Sequence, residues 1–253
     1  MLVFRQAMKT IIRLLAVSAV VAASSVTAKA VIYIDTYWNF GSNPTHLSAN
    51  VTGGVMSAGQ FDPMYTPVMN DMGNPSSGYT GFNGPASGVH NAAVETQNFA
   101  GPITSLLDAN NPTATYFEFT LAPNPGLQLM ATDFELGSRG KSAFGPTTLT
   151  LVASTDGFSS DMTILGSMAL VANNSWALYN LPSFSYTAPI DTPVTFRIYG
   201  TDGTGGTAAP TWRIDDVTLG IVAVPEPSTY ASLLVGVVLL GARALRRRKS
   251  AVA

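Results

Sequence analysis

Two adjacent aspartates, Asp215 and Asp216, are the residues whose type and spacing could do chemistry in this chain. Carboxylate oxygens are the ligands that Ca²⁺ prefers, so the pair would bind calcium, with Asp156 or Asp161 as a further ligand from a turn. A carboxylate pair positions a metal only where a structured element holds it. The chemistry of this pair therefore depends on the strand around it.

That strand has an irregular period. Its apolar residues change phase at the two aspartates, in the order Trp212, Ile214, Val217, Leu219 and Ile221. One residue must be absorbed there, most simply as a β-bulge, because otherwise half of the strand would turn its apolar side chains into water. In the alternative interpretation, the aspartates accept backbone N–H groups at the bulge or pair with Arg213 or Arg197.

The segment from Trp212 to Leu219 resembles the closing strand of extracellular jelly-roll domains, among them carbohydrate-binding modules, some of which hold structural calcium nearby. A module of that kind would stack sugar rings on exposed aromatic side chains. Trp176 and Tyr179 are the best candidates, since they lie beside the turn signal Asn173-Asn174. Packing of both rings in the core is the alternative interpretation.

Catalytic chemistry is hard to build from this composition. The chain has no Cys and two His, His46 and His90, neither of which lies near a Gly-x-Ser-x-Gly sequence. No phosphate-binding glycine loop precedes a helix, and no spacing singles out a pair of glycosidase carboxylates. We therefore expect a protein that is not an enzyme and that has no cofactor, calcium excepted.

The elements that position these residues are predicted to be strands. Hydrophobic residues make up 46% of the chain and charged residues 11%, with 23 Gly and 16 Pro, a composition that disfavours long helices. Alternating apolar residues recur from Thr113 onward, as in 117–121 and 194–198. The prediction is an all-β fold, an antiparallel β-sandwich of jelly-roll type over 113–223, with a loop-rich Gly, Asn and Pro segment over 31–112 packed on it.

The distribution of charge separates this body from the two ends. Between Val31 and Val224 there are four basic and fourteen acidic residues, a net charge of −10. Because phosphate binding needs a basic face, we expect no nucleic-acid partner. The remaining nine basic residues lie in the two termini.

The N-terminus has the pattern of a secretory signal peptide over residues 1–30. Lys9 and Arg13 precede an apolar run, and the triplet Ala28-Lys29-Ala30 predicts cleavage that leaves Val31 as the first mature residue. Met1 and Met8 both remain candidates for the initiator. An uncleaved anchor helix is the alternative interpretation of this run.

The C-terminus, residues 224–253, has the pattern of a membrane-spanning tail. Ser228 to Leu245 is 18 residues, about 27 Å as a helix, close to the thickness of the hydrocarbon core. The basic cluster Arg246-Arg247-Arg248-Lys249 follows it. Basic residues stay on the cytoplasmic side, so the body is expected on the far side of the membrane.

A Pro-Glu-Pro triplet, one apolar span and an Arg-rich end together resemble the PEP-CTERM sorting signal of Gram-negative bacteria. The resemblance covers about the last 30 residues. It implies that an exosortase recognises Pro225, Glu226 and Pro227, that the helix is a transient anchor, and that the basic cluster Arg246 to Lys249 is a cytoplasmic stop. Arg243 departs from the pattern because it lies inside the span. A plain tail anchor is the alternative interpretation.

The resemblance implies an exported, non-enzymatic protein of the cell surface or extracellular matrix, associated with exopolysaccharide or biofilm. The expected partners are the exosortase and an extracellular polysaccharide, with membrane contact through the C-terminal helix before processing. The alternative function is a carbohydrate-binding β-sandwich module with structural calcium.

Overall fold

The alternating segments of the sequence form strands in the structure, a computed structural model of the chain. It describes residues 35–41, 44–59, 66–81, 84–86, 90–95, 115–140, 144–171, 173–181, 183–203, 211–225 and 235–236. The predicted signal peptide, residues Glu226 and Pro227 of the triplet, and the basic cluster Arg246 to Lys249 lie outside the described residues. Of the predicted spanning helix, only residues 235 and 236 are described, and both are helical.

The described strands are numbered in chain order and belong to one unit, Tyr33–Glu226. They are β1 (Thr36–Trp38), β2 (Val51–Gly53), β3 (Ser57–Gly59), β4 (Val68–Asp71), β5 (Thr80–Gly81), β6 (Gly84–Pro85), β7 (Asn91–Glu95), β8 (Tyr116–Pro123), β9 (Leu127–Gly140), β10 (Thr148–Ser154), β11 (Thr163–Ala169), β12 (Ala177–Leu181), β13 (Tyr186–Thr187), β14 (Val194–Thr201) and β15 (Thr211–Pro225).

Two antiparallel sheets make up the sandwich. The seven-stranded sheet has the order β12-β9-β15-β7-β4, with β1 also paired to β15 and β13 to β9. The six-stranded sheet has the order β11-β10-β14-β8-β2, with β3 also paired to β8. Strands β5 and β6 form a small separate hairpin. The all-β, antiparallel sandwich is therefore confirmed, while the jelly-roll topology stays a prediction.

Aromatic side chains join the two sheets across the core. Trp38 of the seven-stranded sheet packs on Phe119 of the other, with ring centroids 4.4 Å apart. Phe117 meets Trp212 edge-on at 4.8 Å. Both indole N–H groups find buried acceptors, Trp38 at the Gly54 carbonyl and Trp212 at the Ser138 hydroxyl. The aromatic rings thus supply apolar area without leaving these donors unpaired.

The predicted bulge lies in β15, the strand that crosses the middle of the larger sheet. Asp215 pairs with Gly137 of β9, and the next paired residue, Thr218, faces Glu135. Three steps along β15 therefore match two along β9, which is one extra residue. Val217 is consequently as buried as Ile214, and the bulge prediction is confirmed.

The first third of the described chain consists of short strands joined by irregular segments. Strands β1 to β7 have two to five residues each, whereas β8, β9 and β15 have 8, 14 and 15. This agrees with the loop-rich composition of that part of the sequence. Among the described residues, no helix combines the length and the apolar character needed to cross a bilayer.

Deleting Asp216 is expected to abolish cooperative folding. Without the extra residue, the apolar side chains after it would have to face solvent, because a one-residue slip moves a strand's side chains to the other face. The matched control is Asp216→Asn, which keeps the residue count and tolerates the positive φ of 47° at this position. Urea unfolding followed by tryptophan fluorescence should remain cooperative in the control, with a loss of about 1–2 kcal/mol. A deletion variant that unfolds as cooperatively as the wild type would contradict the prediction.

Candidate functional site

The bulge places two carboxyl groups next to each other on a buried part of the larger sheet. Asp216 has a φ of 47°, the left-handed conformation, which few residue types other than Gly, Asn and Asp adopt readily. Asp215 is fully buried, and Asp216 is 8% exposed. The short-range sequence signal that predicted the bulge therefore also predicted where the carboxyl pair would be held.

Two tyrosine hydroxyls donate to the Asp216 carboxylate. Tyr37 of β1 donates to Oδ1 at 2.5 Å, and Tyr79 donates to Oδ2 at 2.9 Å. Tyr37 is brought there by pairing with Thr218 of β15. Burial, together with the charges of Asp216 and Asp215, raises the pKa of Tyr79, so its hydroxyl stays protonated and remains a donor.

A glycine makes room for this arrangement. A Cβ atom at Gly137, the cross-strand neighbour of Asp215, would lie 2.0 Å from the Tyr79 hydroxyl oxygen. Such a contact is impossible without moving the ring. Gly137 therefore allows Tyr79 to lie over the sheet and reach Asp216.

Asp215 is the unusual carboxyl of the pair. Its Oδ1 accepts the backbone N–H of Asp216 at 2.8 Å, whereas Oδ2 is buried with no hydrogen-bond partner. Burial raises its pKa to about 7, helped by the charge of Asp216 and opposed by hydrogen bonds from the Ser76 hydroxyl and the Asp216 amide. Near neutral pH, this group is therefore held close to the point where it loses its proton.

The described residues do not assemble a calcium site at the bulge. Asp156 and Asp161 are used within their own turn, where Asp156 accepts from Ser160 and Asp161 accepts from Thr155. In the described part of the chain, no three acidic or histidine side chains come together to hold a metal ion. Two carboxyls, one of them with a raised pKa, are a poor match for an ion that takes six to eight oxygen ligands.

The alternative interpretation of the aspartates describes this geometry better. Asp215 does accept a backbone N–H at the bulge. Neither candidate arginine pairs with the aspartates, because Arg213 forms an ion pair with Asp71 and Arg197 forms one with Glu118. A tyrosine partner for either aspartate was not predicted, since nothing in the local sequence links β15 to residues so distant along the chain.

The two candidate stacking residues, Trp176 and Tyr179, lie at the edge of the larger sheet. The Trp176 side chain is 9% exposed, and its Nε1 is buried without a hydrogen-bond partner among the described residues. Tyr179 packs partly buried against the core, and its hydroxyl accepts the Val171 backbone N–H at 3.1 Å. In this conformation the two rings do not form a flat exposed platform, and their role in glycan stacking stays a prediction.

The two histidines lie apart from this site. His46 forms an isolated antiparallel bridge with Tyr37, and the ring Nδ1 of His90 lies against the Asn70 side-chain oxygen. Neither contact is with a serine or a carboxylate. The arrangement of a Ser-His-Asp triad is not found at either residue within the described part of the chain.

Three arginines make contacts that the sequence pattern did not predict. Arg197 lies between the rings of Tyr116 and Phe158, 4.0 Å from each centroid, and its Nε donates to Glu118 at 2.5 Å. Arg139 of β9 lies directly opposite Arg213 of β15. The scarcity of basic residues in the body was the available signal, but it did not indicate which of them would meet.

Comparison with known proteins identifies the C-terminal segment. Residues 223–249 match the model of the PEP-CTERM protein-sorting motif, which confirms the resemblance. No curated protein matches the chain in sequence.

Several solved structures are similar to the chain at low identity. A family 29 carbohydrate-binding module is 10% identical over 76% of this chain and 90% of its own, with a TM-score of 0.33. A family 11 module from Clostridium thermocellum, in complex with a β-1,3-1,4-mixed-linked tetrasaccharide, is 10% identical over 76% and 97%, with a TM-score of 0.28. A cyclase from Fischerella sp. TAU is 12% identical over 74% and 96%, with a TM-score of 0.37. Scores of this size establish no common function.

Asp215→Asn is expected to stabilise the protein at pH 8 and to have little effect at pH 4. The folded pKa of about 7 lies above the ordinary 3.8, so the wild type loses stability as the pH rises from about 4 to 7. The neutral amide removes this penalty, on the order of 2–4 kcal/mol at pH 8. Urea unfolding at both pH values measures it, and Asp202→Asn controls for the lost charge. An equal effect at both pH values would show that the cause is not ionisation.

Calcium is expected to leave the melting temperature unchanged at pH 7. Both Asp216 oxygens already accept tyrosine hydroxyls, and no third carboxyl among the described residues is close enough to help hold the ion. Thermal unfolding in millimolar CaCl2 and in excess EGTA checks this. A calcium-dependent rise in melting temperature that disappears in Asp215→Asn would instead establish calcium binding at the bulge.

Proposed function

We propose that this chain, whose residues 223–249 are a PEP-CTERM protein-sorting motif, is a non-enzymatic protein of the cell surface or extracellular matrix that associates with exopolysaccharide. In this proposal the chain is exported across the inner membrane, held briefly by its C-terminal helix, and processed by an exosortase. The exported part is the β-sandwich.

The observation that carries the proposal is the sorting motif at the C-terminus. The motif implies exosortase processing and a protein destined for the cell surface. The apolar stretch and the basic cluster after Pro227 are in the order that a transient anchor requires, because basic residues resist transfer across the membrane. The signal-peptide pattern at the other terminus supports export of the body by the same logic.

The non-enzymatic part of the proposal is supported by how the polar groups of the sandwich are used. Asp216 accepts two tyrosine hydroxyls, and the Glu118 carboxylate is paired with Arg197. These groups are used in hydrogen bonds and an ion pair within the protein. Structural use of the carboxyls suits a surface or matrix component.

The alternative function is a carbohydrate-binding module. Its support is the arginine on the larger sheet, Arg139, which donates to Asn174, two residues before Trp176. Calcium is not part of this alternative, because the residues at the bulge do not fit the ion.

Sorting is tested by substituting the middle of the triplet, Glu226→Ala, in the native host. The wild type is expected outside the inner membrane as a mature species that begins at Val31 and ends near Pro225, as measured by intact mass and fractionation. The variant, and the wild type in a strain without exosortase, should keep the tail and stay in the inner membrane.

The chain offers a matched control in its other Pro-x-Pro triplet, Pro123-Asn124-Pro125, which begins at the last residue of β8 and leads into the turn before β9. Asn124→Ala changes the middle residue of that triplet and should be sorted like the wild type. Normal sorting of Glu226→Ala, or a full-length tail in the inner membrane of both strains, would rule out exosortase processing.

A further inference from the structure

Two arginines face each other across adjacent strands of the larger sheet. Arg139 of β9 is the direct cross-strand partner of Arg213 of β15. Directly opposite residues of an antiparallel pair project from the same face, and like charges in these positions are unfavourable. The body contains only four basic residues, so the meeting of two of them at one place needs a physical reason.

Among the described residues, a carboxylate neutralises Arg213 but not Arg139. Arg213 forms an ion pair with Asp71 through Nη1, which also donates to the Asn91 side chain at 2.8 Å. Arg139 donates from Nε and Nη2 to the neutral Asn174 oxygen, at 3.1 and 2.7 Å. No carboxylate in the described part of the chain lies within salt-bridge distance of Arg139. Among the described residues, the pair therefore keeps one positive charge without a carboxylate partner.

Within the part of the chain that the structure describes, the pair also has N–H donors that no acceptor uses. Hydrogen bonds among the described residues use neither Nη1 of Arg139 nor Nη2 of Arg213. Trp176 immediately precedes Ala177, which pairs with Ser138, so Trp176 and Arg139 are the next positions along these two neighbouring strands. The buried Nε1 of Trp176 has no partner either. These N–H groups belong to neighbouring positions of the sheet, and only hydrogen-bond acceptors could satisfy them.

Both arginine side chains are partly buried, which strengthens their attraction for a negatively charged ligand. The Arg213 side chain is 14% exposed, and Arg139 is also partly buried. Burial, followed by the charge of Arg213, lowers the pKa of Arg139. A ligand that brings negative charge between the two guanidinium groups would relieve this repulsion, with less screening by water than at an open surface.

We propose that Arg139 and Arg213, with Asn174 and Trp176 beside them, bind the carboxylate groups of an acidic polysaccharide. The two coplanar oxygens of a carboxylate match the forked donors of a guanidinium group, a match that a neutral sugar does not offer. The polysaccharide is the partner expected of a matrix protein, so this inference rests on the proposed function. Because the rest of the body is acidic, this arginine site is where we expect the body to contact such a polymer.

The test is binding of purified full-length protein, in non-ionic detergent, to polygalacturonate by isothermal titration calorimetry. Wild-type protein should bind polygalacturonate and should not bind its fully methyl-esterified form, which has the same backbone without the charge. Arg139→Gln, which keeps an amide donor but removes the charge, should weaken binding at least about tenfold, the loss expected for one charge-assisted hydrogen bond.

The matched control is Arg197→Gln, which removes one positive charge from the other sheet. Its affinity for polygalacturonate should stay within about twofold of the wild type, because Arg197 is already paired with Glu118. Urea unfolding establishes that both variants are folded before binding is measured. Arg246→Gln, in the C-terminal tail, is a second control should the first variant not fold.

Equal losses in Arg139→Gln and in the controls would overturn the proposal, because binding would then follow net charge alone. Equal affinity for the methyl ester would also overturn it, as would equal affinity for polyglutamate, which would indicate an acidic protein partner. Absence of polygalacturonate binding together with normal sorting in the host would overturn this inference and leave the proposed function intact. Failure of sorting together with retained polygalacturonate binding would overturn the proposed function and leave this inference intact.

Discussion

The sandwich depends on one extra residue in β15. The larger sheet is built around this strand, which pairs with β9, β7 and β1. Its apolar side chains reach the core on both sides of Asp215 and Asp216 only because the bulge corrects their phase. The bulge in turn places two carboxyl groups where water is excluded, and the surrounding structure has to accommodate them.

That accommodation explains several otherwise separate features. Tyr37 and Tyr79 arrive from distant parts of the chain to donate to Asp216. Gly137 lacks the side chain that would block Tyr79. Asp215 is left with an unpartnered oxygen and a raised pKa, a local cost that the packing around it tolerates. The carboxyl pair is therefore better understood as a consequence of the bulge than as a metal site.

The basic side chains of the body are few, and most of those that the structure describes are used in ion pairs. The acidic body has few cations, and two of them, Arg197 and Arg213, are used in ion pairs with Glu118 and Asp71. Arg139 has only a neutral amide as its partner among the described residues. Arg139 lies directly opposite Arg213, and the described residues supply it no carboxylate. A bound acidic polymer would therefore also reduce the repulsion between the two arginines.

Local pattern was sufficient for the longer strands after residue 113, the bulge and the C-terminal sorting motif. Alternation has a period of two, so a change of phase within β15 is visible from a handful of neighbouring residues. The pattern of the sorting motif is likewise contiguous along the chain. What only the tertiary structure decided is which residues meet: Tyr37 and Tyr79 at Asp216, and Arg139 opposite Arg213. These contacts depend on sheet order and register between segments far apart in sequence, which no local period encodes.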